Sequence, residues 1–326
     1  MKKIILLFLL CISCKQESKL QKNKTSGEVF GTYYNIQFFD DKPVDFSKQY
    51  DSLFAVINKS MSTYISSSDI SKINANDTTV VVDSHFKNVF EVSKDIYHST
   101  NGYFDPTIGV LVNAWDFGPQ GKIVGLDSVK VDSLLYYVGF DKVQMISGKI
   151  KKQTQTFVDF NAVAKGYGLD VIAGFLDSQG YDNYLIDIGG EIVAKGSNLL
   201  RKNNWNVGIE QPNFDGSQSQ QIAIALHDEA MATSGVYRKF KTDENGNKYA
   251  HIIDTKTGYP SKTNILSVSV IAPTCAKADA YATAFKAMGI ERVKLFLETH
   301  PELKVYFIYE DAHKQLQTLA LNNFPN

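Results

Sequence analysis

Lys165 is the first residue with evident chemical potential. It lies in Val158-Asp-Phe-Asn-Ala-Val-Ala-Lys-Gly-Tyr-Gly-Leu-Asp170, which reads as an apolar strand, a small-residue turn and the first turns of a helix. The first N–H groups of a helix have no partner within it and sit at the positive end of its dipole, so an anion such as a phosphate can settle there beside a lysine. Gly166 and Gly168 would serve equally for close packing of that helix on a sheet. A second pair of residues points to a metal. Asp279 and Thr283 lie four apart in the alanine-rich stretch Ala276 to Gly289, on one face of a helix that stops at the glycine. A carboxylate and a hydroxyl side by side are hard oxygen donors of the kind that suit Mg²⁺; the alternative is a capping aspartate and a threonine bonded to its own helix.

Of the six histidines, none is spaced with another histidine or a cysteine as a zinc site requires. His251 falls in Tyr249-Ala-His-Ile-Ile-Asp-Thr-Lys-Thr-Gly-Tyr-Pro260, a strand ending in a turn. That position suits a general base or a structural hydrogen bond. Asp187-Ile-Gly-Gly-Glu191 and Ala232-Thr-Ser-Gly235 read as glycine turns able to approach an anion. Tyr64, Trp115 and Phe117 offer aromatic faces for a planar ring, or belong to the core.

The elements that must carry these groups show mixed periodicities. Glu28 to Phe39 reads as one strand, and Leu53, Val56 and Ile57 mark a helix. Phe86, Val89, Phe90, Ser93, Ile96 and Tyr97 mark a longer helix capped by Asp83 or Ser84. Tyr184–Ile188, Trp205–Glu210, Ile222–Leu226 and Leu266–Ile271 read as strands, and Glu244-Asn-Gly-Asn247 and Glu310-Asp-Ala-His313 as hairpin turns. Strands bunched together rather than alternating with helices predict an α+β fold, with mixed, largely antiparallel sheets, packed helices and two interlocked lobes in one unit.

The chain has 326 residues, 34 basic and 35 acidic, for a net charge of -1; no basic stripe suggests nucleic acid. Lys2 and Lys3 precede an apolar run from Ile4 to Ile12, too short for a permanent span and suited to a signal peptide. Leu10-Cys-Ile-Ser-Cys14 resembles a bacterial lipobox with Cys14 as the lipidated residue. We therefore expect a signal peptide over 1–13, a polar tether over 14–27 and a folded domain over 28–326, held by lipid on the periplasmic side of the inner membrane. Cys275 would then be the sole cysteine of the folded part, a buried structural thiol without a disulfide partner.

Taken in order, Phe30-Gly-Thr32, Met61-Ser-Thr-Tyr64 with Asp69-Ile-Ser-Lys-Ile-Asn74, Gly102 to Gly109, Val158 to Gly166, Asp187 to Gly190, Ala232 to Gly235, His251 to Asp254 with Thr257-Gly258, and Ala278-Asp279 with Thr283 closely resemble the ApbE family, the FAD:protein FMN transferases. The resemblance runs from about Glu28 to about Phe307. It implies an enzyme that splits FAD, releases AMP and attaches FMN by a phosphoester to a threonine or serine. The acceptor would be a flavoprotein carrying an Asp-x-x-Ser/Thr-Gly-Ala-Thr/Ser motif, such as a subunit of an ion-pumping NADH:quinone or Rnf-type oxidoreductase.

By the same resemblance Asp279, Thr283 and the Ala162 carbonyl would bind Mg²⁺. Phe30, Tyr64, Ala114, Trp115, Asp116, Asp159, Lys165 and Ile253 would contact FAD, and His251 would take the proton of the acceptor hydroxyl. Phe30 stands where the family often has methionine, and Asn161 where glycine or serine is usual. An Mg²⁺-dependent FAD pyrophosphatase and a non-enzymatic flavin-binding lipoprotein are the competing readings.

Overall fold

A computed structural model describes residues 20–213, 217, 219–235, 240–242, 248–250, 252–261 and 263–325, with backbone alone for 240–242 and 248–250. The chain opens with an antiparallel hairpin, β1 (Gln21–Val29) and β2 (Thr32–Asp40), paired from Gln21↔Asp40 to Val29↔Thr32. Phe30 (φ +51°) and Gly31 (φ +74°) form its two-residue turn. Positive φ at both positions matches the right-handed twist of the flanking strands. The single strand expected over Glu28 to Phe39 is therefore two, and the first begins inside the segment expected to be a tether. That strand buries only Asn23 and Val29, so it has almost no apolar signature; its backbone is satisfied by β2, and the Asn23 amide bonds the Lys42 carbonyl (3.2 Å) and the Val44 N–H (2.9 Å).

Helices α1 (Ser47–Met61), α2 (Asp69–Asn74), α3 (Ser84–Ser99), α4 (Gly109–Ala114) and α5 (Ser128–Leu135) follow. In α3 the residues at helical spacing, Phe86, Val89, Phe90, Ser93 and Ile96, are all buried, and Asp83 caps the helix by accepting from the Phe86 N–H at 2.8 Å. A small hairpin, β3 (Gln144–Ile146) and β4 (Lys149–Lys151), leads to α6 (Ala164–Ser178). The apolar strand expected at Val158 is absent; a single parallel bridge, Ile108↔Phe157, stands in its place. The Asn74 side chain explains why, since it accepts from the Val158 N–H and donates to the Val158 carbonyl, both at 2.8 Å, and so replaces a neighbouring strand.

The second half supplies β5 (Tyr184–Ile188), β6 (Glu191–Lys195), β7 (Trp205–Glu210), β8 (Gln220–Leu226), β9 (Glu229–Gly235), β10 (Phe240–Thr242), β11 (Lys248–Ala250), β12 (Ile265–Ala272), α7 (Cys275–Met288), α8 (Ile290–Leu297), β13 (Lys304–Glu310) and β14 (Leu316–Leu321). Eight strands form one sheet in the order β1-β2-β5-β6-β9-β12-β13-β14, antiparallel throughout, and β7 and β8 form a separate ribbon. This is the α+β architecture expected. Ala232–Gly235, read as a turn, is instead the end of β9, held to β12 by the pairs Ala232↔Val270 through Gly235↔Ser267. The expected turn Glu244–Asn247 lies outside the described residues; Glu310–His313 does connect β13 to β14.

Helices and ribbon sandwich the sheet. On one face, α1 and α6 pack Tyr50, Phe54, Leu169, Ile172 and Leu176 against Tyr34, Ile36, Phe38 and Ile186. On the other, the ribbon places Trp205, Val207, Ile209 and Leu226 over Phe39, Ile192, Met231 and Ile308. Every residue of β12 is buried because the sheet's centre is covered on both sides. Leu111, Val131, Val138 and Ile253 make a small satellite core beneath α4 and α5. Lys286 of α7 is fully buried and donates to the Ile265 (2.9 Å) and Leu266 (3.0 Å) carbonyls, where the pairing of β12 with β13 shifts register.

Candidate functional site

Two helix N-termini meet beneath the site and are capped by each other's carboxylates. At α7, Thr274 is the N-cap, and Asp170 of α6 accepts from the Cys275 (2.8 Å) and Ala276 (2.9 Å) N–H groups. At α6, no side chain caps Val163, and Asp279 of α7 accepts from the Gly166 N–H at 3.0 Å. A β-carbon on Gly166 would press into the Cys275 carbonyl oxygen, so this glycine is what lets the helices close. The anion at the α6 N-terminus is thus, in part, the protein's own Asp279. The alanines of α7 serve the same approach, with Ala276, Ala278, Ala280, Ala282 and Ala284 all buried.

The β5–β6 turn adds a third charged group. Gly189 (φ +61°) and Gly190 (φ +100°) reverse the chain, the Gly190 N–H bonds Asp187 Oδ1 at 3.0 Å, and Glu191 follows at the start of β6. Glu191 is buried and forms an ion pair with Lys165 Nζ. Burial pushes the Glu191 carboxyl up, to about 7, against the pull of Lys165. Burial also opposes the Lys165 charge, but Glu191 and Asp279 outweigh it and hold the ammonium above the ordinary lysine value. Asp279 is raised by burial, with Lys165 and the Gly166 N–H pulling the other way. The half-buried lysine therefore stays a cation among carboxylates.

These groups line a cavity of about 720 Å³, bounded also by Tyr64, Phe104, Asp105, Asp159, Ala162, Thr233, Ser234, Ile252, Ile253 and Thr283. Its size is that of a small-molecule or cofactor site. Of the residues expected at the site, Tyr64, Asp159, Ala162, Lys165, Ile253, Asp279 and Thr283 are brought together here. Tyr64 is 63% exposed, at the mouth. Asp159 accepts from the Asn161 N–H at 2.7 Å, and the Asn161 amide bonds Thr63 Oγ1 at 3.1 Å, fixing the turn before α6.

Phe30, Ala114, Trp115 and Asp116 do not line the cavity. Phe30 is drawn into the packing between the hairpin turn and the helices, edge-on to Phe54 (centroids 5.6 Å apart) and against Gly168. Ala114 is buried at the end of α4, Trp115 donates its indole N–H to the Gly258 carbonyl at 2.9 Å and packs on Tyr259, and Asp116 takes φ +66° just beyond. Of these, Trp115 braces the 254–259 turn that follows Ile253. His251 lies outside the described residues, as do Cys11 and Cys14.

Asp279 Oδ1 meets no donor among the described residues, while Oδ2 is held by Gly166. With Thr283 one turn further along α7 and Ala162 on the same cavity, the available donors are all oxygens, a set that fits a hard divalent cation. Glu191 and Asp170 were not among the expected site residues. Glu191 had a signal, an acidic residue after Gly-Gly between the apolar Ile188 and Ile192; Asp170 had none, because its partners lie 105 and 106 residues away. Cys275 is buried as expected, and burial pushes its thiol up.

The sequence and the fold have close counterparts among known proteins. The chain is 35% identical to the FAD:protein FMN transferase of Vibrio cholerae, over 97% of this chain and 96% of that protein. It is 33% identical to the FAD:protein FMN transferase of Haemophilus influenzae, over 91% and 88%. The structure of the flavin transferase ApbE from Vibrio cholerae superposes with a TM-score of 0.82 at 32% identity, covering 93% of this chain and 97% of that one. The ApbE family profile matches residues 30–307, and the chain belongs to the ApbE family.

Proposed function

We propose that this protein is a Mg²⁺-dependent FAD:protein FMN transferase. It would take FAD as substrate and place FMN on a serine or threonine hydroxyl of an acceptor protein. The observation that carries this reading is the cavity in which a half-buried, ion-paired lysine and an aspartate with one open oxygen adjoin the tips of two helices. In the reaction the acceptor hydroxyl oxygen bonds the FMN phosphorus, the bond from that phosphorus to the bridging oxygen breaks, and its electron pair leaves with AMP. Lys165 offsets charge on the pyrophosphate, Glu191 orients Lys165, and Tyr64 and Ile253 give the flavin or adenine ring apolar contact. Asp279, Thr283 and Ala162 would hold Mg²⁺, which when bound neutralises pyrophosphate charge. His251 takes the hydroxyl proton in this reading.

Such a base is worth about 10² to 10⁴ in rate, so His251→Ala should retain FAD affinity and slow transfer by that factor. Transfer at the native rate would remove His251 from the role. A pyrophosphatase would use the same site with water as the nucleophile, and AMP release indifferent to the acceptor would favour it. We also propose that lipid on Cys14 anchors the protein on the outer side of the inner membrane, the acceptor being a membrane flavoprotein with the Asp-x-x-Ser/Thr-Gly-Ala-Thr/Ser motif. The segment between Cys14 and the first strand at Gln21 is short, which would keep the cavity near the membrane surface.

A further inference from the structure

The reaction proposed above makes a steric demand on its protein substrate. A serine or threonine oxygen is only two bonds from its Cα, so a hydroxyl that reaches a phosphorus beside Lys165 brings its own main chain into the cavity. Main-chain N–H and C=O groups taken out of water need partners. One wall of the cavity offers them.

Asn206, Val207, Gly208, Ile209 and Glu210 are consecutive in β7, and all five line the cavity. Side chains of a strand alternate between two faces, so a cavity lined by five residues in succession meets the strand's edge and not one of its faces. The two sets are visible in burial: Val207 and Ile209 sink into the core under the ribbon, while Asn206 and Gly208 are exposed. β7 pairs with β8 along one edge, no residue of β8 lines the cavity, and no strand among the described residues pairs with the other edge. Every second residue of β7 therefore turns its N–H and C=O away from β8. Gly208 brings no side chain of its own, the Gln220 side chain lying 3.4 Å from where its β-carbon would be, and Asn35 and Gln37 of β2 also line the cavity. Such an edge is a template for an added strand.

We infer that the acceptor protein is held as an extended segment added to the free edge of β7, which threads its serine or threonine into the cavity. This docking mode rests on the transferase reading and specifies how that site recognises its protein substrate. The occupant is an extended peptide segment, because a helix would bring its backbone groups already paired and would hold its Cα too far from the wall.

The test leaves the enzyme unaltered. A synthetic peptide bearing the Asp-x-x-Ser/Thr-Gly-Ala-Thr/Ser motif is made as a series in which one backbone amide at a time, within three residues either side of the modified hydroxyl, is replaced by an ester. Each ester deletes one N–H donor without changing a side chain. KM for the peptide and kcat are measured for full-length enzyme with FAD and Mg²⁺, and FAD binding is measured separately without peptide. Strand addition predicts a period of two: KM rises about tenfold at alternate positions and stays near the parent value between them. Transfer with no alternation along the series would overturn docking on β7 while leaving the transferase reading intact. If the parent peptide were not flavinylated although FAD bound, the transferase reading would fall and this inference with it.

Discussion

At the residue scale, the account turns on a small set of buried charges whose values depend on one another. Among the described residues Lys165 and Glu191 form the ion pair most removed from water, with side chains 28% and 5% exposed. Deleting one member of a buried pair leaves the other uncompensated, at a typical cost of about 3–5 kcal/mol, whereas replacing both by apolar groups is often near neutral. Glu191→Ala should therefore lower the free energy of unfolding in urea by several kcal/mol, and the double variant Lys165→Met/Glu191→Met should recover most of it while losing activity. An additive loss in the double variant would mean that the two side chains stabilise the fold separately. Lys165 was visible in the sequence as a lysine just inside a helix and Glu191 as an acidic residue after Gly-Gly, but their pairing was not, since it depends on where the β5–β6 turn is delivered in space.

At the element scale, the site rests on the contact between α6 and α7, in which each helix caps the other. Gly166→Ala places a methyl group against the Cys275 carbonyl and should cost about 1–3 kcal/mol. Gly174→Ala, eight residues further along α6 with open space around it, should instead stabilise by about 0.5–1 kcal/mol. Equal effects of the two substitutions, read by thermal unfolding, would refute the close-approach argument. Elements whose own residues declare their periodicity, α3 and β5 among them, were legible in the sequence. Others were decided by distant partners: the Val158 segment is extended yet bonded to an asparagine side chain 84 residues earlier, and β1 is a polar strand that exists because β2 accepts it. Phe30 and Trp115 illustrate the same limit, because Phe30 is spent on packing against Phe54 and Gly168 and Trp115 on bracing the turn at Gly258.

At the scale of the whole molecule, the buried ionisable groups shape stability against pH. Burial pushes Asp105 and Asp170 each up to about 6, from an ordinary value of about 3.9. The folded state keeps these protons after the unfolded chain has lost them, so stability falls as pH rises from about 4 to about 6. Burial holds Lys286 down to about 7 against an ordinary value of about 10.4, so the unfolded chain binds the extra proton between those limits and stability rises from about pH 7 toward pH 10. Melting temperature measured in chelator should pass through a minimum near neutrality, and Lys286→Met should remove the alkaline rise. A profile flat from pH 5 to pH 9 would show that these groups are hydrated more than their burial indicates. The overall class, antiparallel sheet with packed helices, was legible because strands cluster in the second half of the chain. The single eight-stranded sheet spanning both halves was not, since β1 and β2 join it only through the pairing of β2 with β5.

The central claim is that this cavity moves FMN from FAD to a protein hydroxyl. The most direct measurement is the intact mass of an acceptor protein carrying the motif after incubation with enzyme, FAD and Mg²⁺, with AMP followed in the same samples. A transferase adds one FMN per acceptor with one AMP released, and does neither with Asp279→Ala. AMP and free FMN with an unmodified acceptor would contradict the claim in favour of hydrolysis, and FAD recovered intact would contradict it in favour of a carrier.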